Sequence, residues 1–392
     1  MSRETEDAPL VFLVAGEASG DVIGGHLMAA LKRKTGGAIR FAGVGGPRMA
    51  AEGLVSRFPI AELAVMGLAE VVPHIPRLLR RIREVADAAT RARPAAVVTI
   101  DSPDFSFRVQ KRLAGTQAKR IHVVAPQVWA YRPGRAAKLS AFLDRLLVLL
   151  PFEPPFFERY GLACSFIGHP AIEEGLDRGD GAAFRVRHGI APARPILLLL
   201  PGSRRSEVGR MLPVFAATAA LLRQSIPDFV VIVPSVSHLV PFVRAELARL
   251  GLEALVVEGR ADKLGAFAAG RAALAASGTV TLELGLAGLP MVVAYRMNPL
   301  TAAIARRLVR VPHVAMINLV LKRGLVPEFL LEACRPERLA PALAELLVDG
   351  AARRAQIEGF KEAAGRLKAG DIAPSERAAD IILGAIGAAP TG

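Results

Sequence analysis

Short apolar runs alternate with longer helical segments along the whole chain, and this alternation most limits the folds available to it. The predicted strands are Leu10–Val14, Arg40–Val44, Ala95–Ile100, Arg120–Val124, Ile196–Leu200, Phe229–Val233 and Met291–Ala294. Helical stretches such as Gly24–Lys34 separate them. Continuous apolar strands separated by helices are typical of parallel sheets covered on both faces. The sequence therefore predicts an α/β fold built from doubly wound parallel sheets.

The chain is long enough for two such domains, since 392 residues exceed the usual size of one. The alternation is interrupted over 168–195, a stretch rich in Gly, Pro and charged residues, and restarts at Ile196. We therefore predict a Rossmann-like domain over 1–172, a second Rossmann-like domain over 173–350 and a helical segment over 351–392. A cleft is expected between the two domains.

Composition excludes several classes of protein. Hydrophobic residues make up 52 % and charged residues 22 %, which excludes a disordered chain, a collagen-like fibre and a disulfide-stapled miniprotein. The two cysteines, Cys164 and Cys334, are too few for a disulfide framework or a zinc site, so a reducing, cytoplasmic compartment is expected. No run of eighteen apolar residues exists, so we predict no membrane-spanning helix.

The net charge of +14 indicates an acidic partner. Nucleic acid, a phosphorylated small molecule and an anionic membrane surface all fit a basic protein. Nucleic acid is disfavoured, because the basic residues lack interleaved aromatic side chains for base stacking.

Two loops of the first domain follow predicted strands, where open α/β sheets bind ligands. The first loop follows the strand at Leu10 and contains Gly16, Glu17, Ser19 and Asp21. Its glycines permit a tight turn, and the helix that it opens offers free N–H groups, although an ordinary strand-to-helix turn explains it equally well. In the second loop Asp101 ends a buried strand and suits a general base, whereas Asp104 better fits a helix-capping role.

Two loops of the second domain suit a nucleotide diphosphate. Ser203 and Arg204 follow the strand at Ile196, and an arginine there can bind phosphate through two parallel hydrogen bonds. Ser277, Gly278 and Thr279 begin a helix whose N–H groups can face a diphosphate, with Glu283 one turn further on to accept hydrogen bonds from ribose hydroxyls. Solvated arginines and an ordinary capped helix are the alternatives. No Asp-x-Asp motif is present, so neither a metal nor another cofactor is predicted.

A basic amphipathic segment lies between residues 63 and 83. Its apolar and basic positions are Val65, Met66, Leu68, Val71, Val72, Ile75, Leu78 and Leu79, with Arg77, Arg80 and Arg81. Such a helix can lie in the headgroup plane of an anionic membrane. A core-facing apolar stripe with a solvated basic face is the alternative.

These motifs resemble the lipid-A-disaccharide synthase family. The matching stretches are VAGEASGD (14–21), GVGGPRM (43–49), ELAVMGLAEV (62–71), IDSPDF (100–105), HVVAPQVWAYRPGR (122–135), LPFE (150–153), FIGHP (166–170), LLPGSRRSEV (199–208), ASGTVTLE (276–283), PMVVAYRMNP (290–299) and INLVLKRGLVPE (317–328). They follow the family's order and cover nearly the whole chain.

The resemblance implies a GT-B fold, in which two Rossmann-like domains face a cleft. It implies an inverting, metal-independent, peripherally membrane-bound enzyme on the cytoplasmic face of the inner membrane. Its substrates would be UDP-2,3-diacylglucosamine as donor and 2,3-diacylglucosamine 1-phosphate as acceptor. The 6-hydroxyl of the acceptor would attack the donor, giving lipid A disaccharide 1-phosphate and UDP. The sequence leaves the oligomeric state open, a homodimer included.

The resemblance also implies roles for individual residues. Asp101 matches the family's catalytic base, Arg204 its diphosphate-binding arginine and Glu283 its ribose-binding acid. Asn318 matches a nucleotide-site asparagine, here preceded by Ile rather than Pro. Leu331 stands where family members often carry Gln, so no side-chain amide acts there.

Two other classes of protein remain open at this point. Another UDP-N-acetylhexosamine enzyme of the same fold, such as a 2-epimerase, would act on unacylated UDP-GlcNAc. A basic protein that only binds membranes or nucleic acid would not need Asp101.

Overall fold

The computed structural model describes residues 8–63, 75–129, 134–297 and 312–388. The strands are β1 (Leu10–Ala15), β2 (Arg40–Val44), β3 (Ala96–Ile100), β4 (Lys119–Val123), β5 (Arg145–Val148), β6 (Cys164–Phe166), β7 (Ile196–Leu200), β8 (Val230–Ser235), β9 (Leu255–Glu258), β10 (Ala272–Ala276), β11 (Met291–Tyr295) and β12 (Glu328–Leu330). The predicted strands lie within two residues of observed ones at each end.

Helices connect nearly all of the strands. They are α1 (Ala18–Lys34), α2 (Pro47–Ala51), α3 (Ile75–Ala92), α4 (Pro103–Arg112), α5 (Arg135–Leu139), α6 (Pro155–Glu158), α7 (Gly181–Arg187), α8 (Arg205–Leu222), α9 (Val240–Arg249), α10 (Arg260–Ala269), α11 (Thr279–Leu286), α12 (Met316–Leu321), α13 (Pro336–Leu347), α14 (Ala351–Leu367) and α15 (Pro374–Ile386). Among the described residues there are also four 3-10 turns: Ile60–Glu62, Pro170–Ile172, Ser237–Leu239 and Leu331–Ala333.

The described strands form two parallel sheets of six strands each. The first has the order β2-β1-β3-β4-β5-β6 and the second the order β12-β11-β10-β7-β8-β9. The second order is that of the Rossmann fold, and the first follows the flavodoxin-like variant. Strands such as β3 (AVVTI) and β7 (ILLLL) are buried along their whole length. Such continuous apolar strands are typical of parallel sheets that helices cover on both faces. The predicted fold class is confirmed.

The chain divides into two compact units, and its last helices are divided between them. One unit comprises Met1–Pro170 and Lys368–Gly392, the other Ala171–Leu367. The first boundary lies within the predicted linker, but the predicted segment 351–392 is shared between the units. Helix α14 stays with the second, because the buried Gln356 amide exchanges hydrogen bonds of 2.8 and 3.0 Å with the Met291 backbone of β11.

Helix α15 instead returns to the first unit. Its buried residues Ala378, Ile382 and Leu383 join the core cluster that contains β1 and helix α1. Lys34 at the end of α1 forms ion pairs with Glu376 and Asp380 of α15, the latter at 2.8 Å. The returning helix thus covers one face of the first sheet.

Candidate functional site

The first sheet changes direction between β1 and β3, and the loops that follow these two strands meet there. Ala15 pairs with Ile100 at the carboxyl ends of the strands. The loop after β1 leads into α1, and the loop after β3 leads through Asp101 into α4. Ligands of open α/β sheets bind at such a switch point. The structure therefore brings the two predicted N-terminal loops together.

Asp101 is held by donors from both loops. Its Oδ2 accepts a hydrogen bond of 3.0 Å from Ser19 Oγ, and its Oδ1 accepts one of 2.7 Å from the backbone N–H of Ser102. The side chain is half-exposed. These two bonds fix the orientation of the carboxylate and leave further lone pairs able to accept a proton.

The backbone at this position is strained. Asp101 and Ser102 have φ angles of +57° and +47°, which non-glycine residues seldom adopt, least of all before a proline. Gly16 of the other loop lies so close that a Cβ there would be 2.1 Å from Ser102 Cβ. Strained conformations persist where the surrounding structure enforces them, and they concentrate at active sites. The sequence signals for this geometry are Gly16 and Pro103.

Asp104 is placed differently from Asp101. Its side chain is 86 % exposed and pairs with Arg135 at 2.6 Å. It lies in the first turn of α4, where the helix dipole stabilises a carboxylate. The geometry therefore separates the two candidate bases, with Asp101 at the switch point and Asp104 in a surface ion pair.

Asp21 of the first loop has a structural role. Asp21, predicted to lie in the acceptor loop, is only 3 % exposed. Its carboxylate accepts hydrogen bonds of 2.7, 2.9 and 3.0 Å from the backbone N–H groups of Gly46, Arg48 and Met49. It thus caps the start of α2 and has no open face for an acceptor. Glu17 is the N-cap residue of α1 and is half-buried.

A buried acid also lies at this edge of the sheet. Glu153 follows β5, and its carboxylate accepts hydrogen bonds from Trp129 Nε1 at 3.2 Å and from the Leu150 backbone N–H at 3.0 Å. Burial raises the pKa of Glu153 to about 7, against the lowering effect of these bonds. Trp129 and Glu153 lie in the matching stretches 122–135 and 150–153, but the sequence predicts no role for either. They join the loop after β4 to the loop after β5.

We expect Glu153 to make the stability of the protein fall as the pH rises. The folded state holds the proton up to about pH 7, whereas the unfolded chain loses it near the ordinary glutamate pKa of 4.5. Stability is therefore greatest below pH 4.5 and declines up to pH 7. Between pH 5 and 8 the wild type should lose about 2–3 kcal/mol more than Glu153→Gln. Urea unfolding of both proteins at the two pH values measures this, and equal losses would contradict it.

The second sheet changes direction between β7 and β10, and the two predicted nucleotide loops follow these strands. Leu200 at the end of β7 pairs with Ala275 of β10. Residues 201–204 come directly after β7, and residues 277–278 come directly after β10. The structure therefore brings together Arg204 and the start of α11, as the sequence predicted, at the switch point of a Rossmann-ordered sheet.

Glu207 organises the loop after β7. It accepts hydrogen bonds from Arg204 Nη1 at 2.9 Å and from the Ser203 backbone N–H at 3.2 Å. The Arg204 side chain is still 53 % exposed, which leaves it accessible to an anion. Gly202 has a φ of +124°, and a Cβ there would lie 2.7 Å from Glu207 Cβ, so the tight approach requires glycine. The sequence did not predict this role of Glu207, although the residue lies within the matching stretch 199–208.

The start of α11 is open at Gly278. Gly278 is its N-cap residue, no side chain caps the helix within the described residues, and a Cβ on Gly278 would meet nothing within 4 Å. Thr281 Oγ1 bonds back to the Gly278 carbonyl at 2.8 Å. The first N–H groups of the helix can therefore bind a diphosphate, with the helix dipole adding to the attraction.

Glu283 is paired within the protein. Its Oε2 lies 2.6 Å from Lys263 Nζ of α10, and both side chains are partly exposed. The Lys263 ammonium also lies 5.6 Å from the centre of the Phe267 ring. One carboxylate oxygen is thus held by the lysine, and the other can accept from a ribose hydroxyl. No sequence motif marked Lys263.

Asn318 is fully buried, contrary to the predicted nucleotide contact. Its amide donates to the Val326 carbonyl at 2.8 Å and to Glu328 Oε1 at 2.7 Å, and it accepts from the Val326 backbone N–H at 2.9 Å. Glu328 in turn accepts from the Val314 and Ala315 backbone N–H groups. Asn318 therefore ties α12 to Val326 and Glu328, and Glu328 holds the segment before α12, so Asn318 presents no polar atom to a ligand here. Leu331 follows β12 with a φ of +54°.

The amphipathic segment is only partly described. Val65, Met66, Leu68, Val71 and Val72 lie outside the described residues. On α3, Ile75 is 42 % exposed, and Arg77 and Arg80 are exposed. Leu78 and Leu79 pack against the core cluster beneath the sheet, so they fit the core-facing alternative.

Arg81 does not belong to an open basic face. It donates two hydrogen bonds of 2.8 and 3.0 Å to Glu62 Oε2 and lies 4.3 Å above the Phe58 ring. The guanidinium also pairs with Glu84. Arg81 therefore ties α3 to the preceding chain, contrary to the predicted membrane contact.

Two further features are absent from the described ranges. None of the helices there is long and apolar enough to cross a membrane. No three His, Cys, Asp or Glu side chains there are grouped to hold a metal ion.

Comparison with solved structures defines the fold class. A putative UDP-N-acetylglucosamine 2-epimerase from Listeria monocytogenes superposes with a TM-score of 0.64 at 16 % identity, covering 96 % of this chain and 95 % of that one. The calicheamicin glycosyltransferase CalG4 superposes with a TM-score of 0.60 at 18 % identity, covering 97 % and 99 %. The two parallel six-stranded sheets and these superpositions place the chain in the GT-B fold class.

The sequence comparisons identify the family within that class. The family profile described as lipid-A-disaccharide synthetase matches residues 11–381. A lipid-A-disaccharide synthase of Rhodospirillum centenum is 53 % identical over 379 residues, which cover 96 % of this chain and 94 % of the relative. The chain belongs to the lipid-A-disaccharide synthase family and is a glycosyltransferase of lipid A biosynthesis. The 2-epimerase alternative is similar in fold alone.

Proposed function

We propose that this enzyme transfers 2,3-diacylglucosamine from UDP-2,3-diacylglucosamine to the 6-hydroxyl of 2,3-diacylglucosamine 1-phosphate. The products are lipid A disaccharide 1-phosphate and UDP. Family membership supports the reaction. The observation that carries the site assignment is the Asp101 carboxylate, fixed by Ser19 and Ser102 at the switch point of the first sheet.

In the proposed reaction Asp101 is the general base. It accepts the proton of the acceptor hydroxyl as that oxygen attacks the anomeric carbon from the face opposite UDP. A base must be placed within hydrogen-bond reach of its proton. The strained backbone and the two hydrogen bonds on the carboxylate support such fixed placement.

The departing UDP is stabilised by the second unit in this proposal. The half-exposed Arg204 guanidinium and the backbone N–H groups at Ser277, Gly278 and Thr279 neutralise the charge that develops on the diphosphate. Glu283 accepts hydrogen bonds from the ribose. Ser203 belongs to the same loop as Arg204, and its backbone N–H donates to Glu207.

We further propose that the exposed side of α3 contacts an anionic membrane surface, on the cytoplasmic face of the inner membrane. Both lipid substrates are anchored in a bilayer, so the enzyme must work at its surface. The exposed Arg77, Arg80 and Arg83 support this contact, since each basic residue near an anionic surface is worth about 1 kcal/mol. Ile75 adds an exposed apolar side chain at the start of the helix.

UDP release by the purified protein in detergent, with both lipid substrates and EDTA, tests the reaction. Turnover that requires both lipids and persists with EDTA would establish a metal-independent transferase. Interconversion of unacylated UDP-GlcNAc without lipid-dependent turnover would instead assign the 2-epimerase alternative. Omitting each lipid in turn provides the control.

We expect Lys263→Met to weaken UDP binding with little change in kcat. Loss of the 2.6 Å ion pair frees Glu283 to turn away from the ribose. A partly exposed pair of this kind is worth about 1 kcal/mol, so the Kd for UDP should rise about fivefold. Lys263→Arg should restore much of the affinity. Lys361→Met, which removes the exposed pair with Glu358, is the matched control. Unchanged UDP affinity in Lys263→Met would contradict this role.

A further inference from the structure

Four arginines line one cavity on the second unit, away from the nucleotide loops. The cavity has a volume of about 400 Å³ and is lined by Arg185, Arg194, Arg271 and Arg353. Small and apolar residues, among them Ala193 and Gly270, form the rest of its wall. Its volume lies within the range of small-ligand sites in proteins.

The cavity lies at the opposite edge of the sheet from the predicted diphosphate site. Residues 194–195 directly precede β7, and residues 270–271 directly precede β10. The diphosphate loops follow these same two strands. Five strand residues at about 3.3 Å each place the two edges about 16 Å apart. The arginine cavity is therefore a separate site.

The guanidinium groups are fixed in position by backbone carbonyls. Arg185 donates to the carbonyls of Ala191, Arg194 and Ala269 at 2.9–3.0 Å. Arg271 Nε donates to the Leu347 carbonyl at 2.9 Å, and Arg353 donates to the Arg271 carbonyl. Carbonyl partners orient an arginine and leave its positive charge uncompensated.

Carboxylates do little to neutralise this cluster. Within the described residues, none lies within 4 Å of Arg185, Arg271 or Arg353. Arg194 pairs with Asp228 at 2.7 Å, and the nearby Asp349 pairs with Arg354. Burial lowers the pKa of Arg185; burial and the charge of Arg271 lower the pKa of Arg353, against the raising effect of the Asp349 charge. Positive charge is thus concentrated at a cost to the folded protein.

We propose that this cavity binds a phosphate group, either free in a small phosphomonoester or in a phospholipid headgroup. Fixed guanidinium groups with N–H donors to spare match the geometry of phosphate oxygens. Among the described residues, Nη1 and Nη2 of Arg271 have no protein acceptor, and neither do Nε and Nη2 of Arg353. The placement of these arginines around one cavity carries the proposal.

Binding of inorganic phosphate, measured by calorimetry with UDP present at saturation, tests this site. UDP occupies the nucleotide loops, and the part of the remaining phosphate binding that a change in the cavity wall removes reports the cavity. Ala193→Glu places a carboxylate in the cavity wall and leaves every arginine bond intact. We expect the Kd for phosphate to rise at least tenfold in this variant, while its affinity for UDP is unchanged. Ala182→Glu, at an exposed position of α7 outside the cavity wall, is the matched control.

Absence of phosphate binding to the UDP-saturated wild type would overturn the proposal, and so would equal binding by wild type and Ala193→Glu. Vesicles then separate the two sources of phosphate. Weaker sedimentation of Ala193→Glu than of wild type with phosphatidic acid vesicles, and no difference with phosphatidylcholine, assigns a lipid headgroup. Equal sedimentation with both lipids, together with lost phosphate binding, assigns a soluble phosphomonoester.

Discussion

Asp101→Ala is expected to lower kcat about a hundredfold or more while UDP binding stays at the wild-type level. A general base supplies about a 10²- to 10⁴-fold rate enhancement, and this variant removes the only group that we assign to the proton transfer. UDP binding is preserved because the proposed nucleotide contacts, Arg204 and Glu283, belong to the other compact unit. The measurement is lipid-dependent UDP release at saturating substrates, beside UDP titration calorimetry.

Two further variants separate the base from its surroundings. Asp101→Asn keeps the size of the side chain and an oxygen for the Ser102 N–H, so it should lose turnover as fully as Asp101→Ala does. Asp104→Ala should remain within about twofold of wild type, because the exposed Asp104–Arg135 pair is a surface interaction of small energy. An equal loss in Asp104→Ala would contradict the assignment of Asp101 as the base.

Asp21→Ala is expected to destabilise the protein by about 3–5 kcal/mol, the largest stability effect that we predict. The carboxylate accepts three backbone N–H groups, from Gly46, Arg48 and Met49. Leaving a buried donor without its acceptor costs about 1–3 kcal/mol for each group. The free energy of unfolding in urea measures the loss, with circular dichroism as the signal.

Asp21→Asn is the matched variant for this prediction. Its amide oxygen can still accept from Gly46 and Met49, which both bond to Oδ1, so only the Arg48 contact is lost. We expect it to cost about 1–2 kcal/mol. A free energy of unfolding within 1 kcal/mol of wild type for Asp21→Ala would show that the N–H groups find other partners, and would refute the capping role.

The two sheets could be predicted because their signal is local. Buried strands such as Ile196–Leu200 are continuous apolar runs, and the helices between them force parallel pairing. The loops that carry Asp101, Arg204 and the start of α11 could be placed for the same reason, since the carboxyl ends of parallel strands lie at one edge. Helix α1 begins six residues before the predicted Gly24, because Ser19 and Gly20 have low helix propensity.

The roles of several side chains could not be predicted, because they depend on partners that are distant in sequence. Asp21 is occupied by backbone groups more than twenty residues away, and Arg81 by Glu62 nineteen residues away. Asn318 was expected at the nucleotide, and only its burial against Val326 and Glu328 shows otherwise. Lys263 had no motif at all, and its contact with Glu283 requires α10 and α11 to lie side by side.

The sequence by itself thus determined the fold class, the family and the strand ends at which ligand loops must lie. Periodicity and apolar runs are properties of neighbouring residues, and motif order survives without any coordinates. The tertiary structure alone decided which polar side chains of those loops are occupied within the protein and which can reach a ligand. The sequence shows the same residue whether its carboxylate or amide caps a helix or faces a substrate. Only the hydrogen-bond partners of that group distinguish the capping role from the binding role.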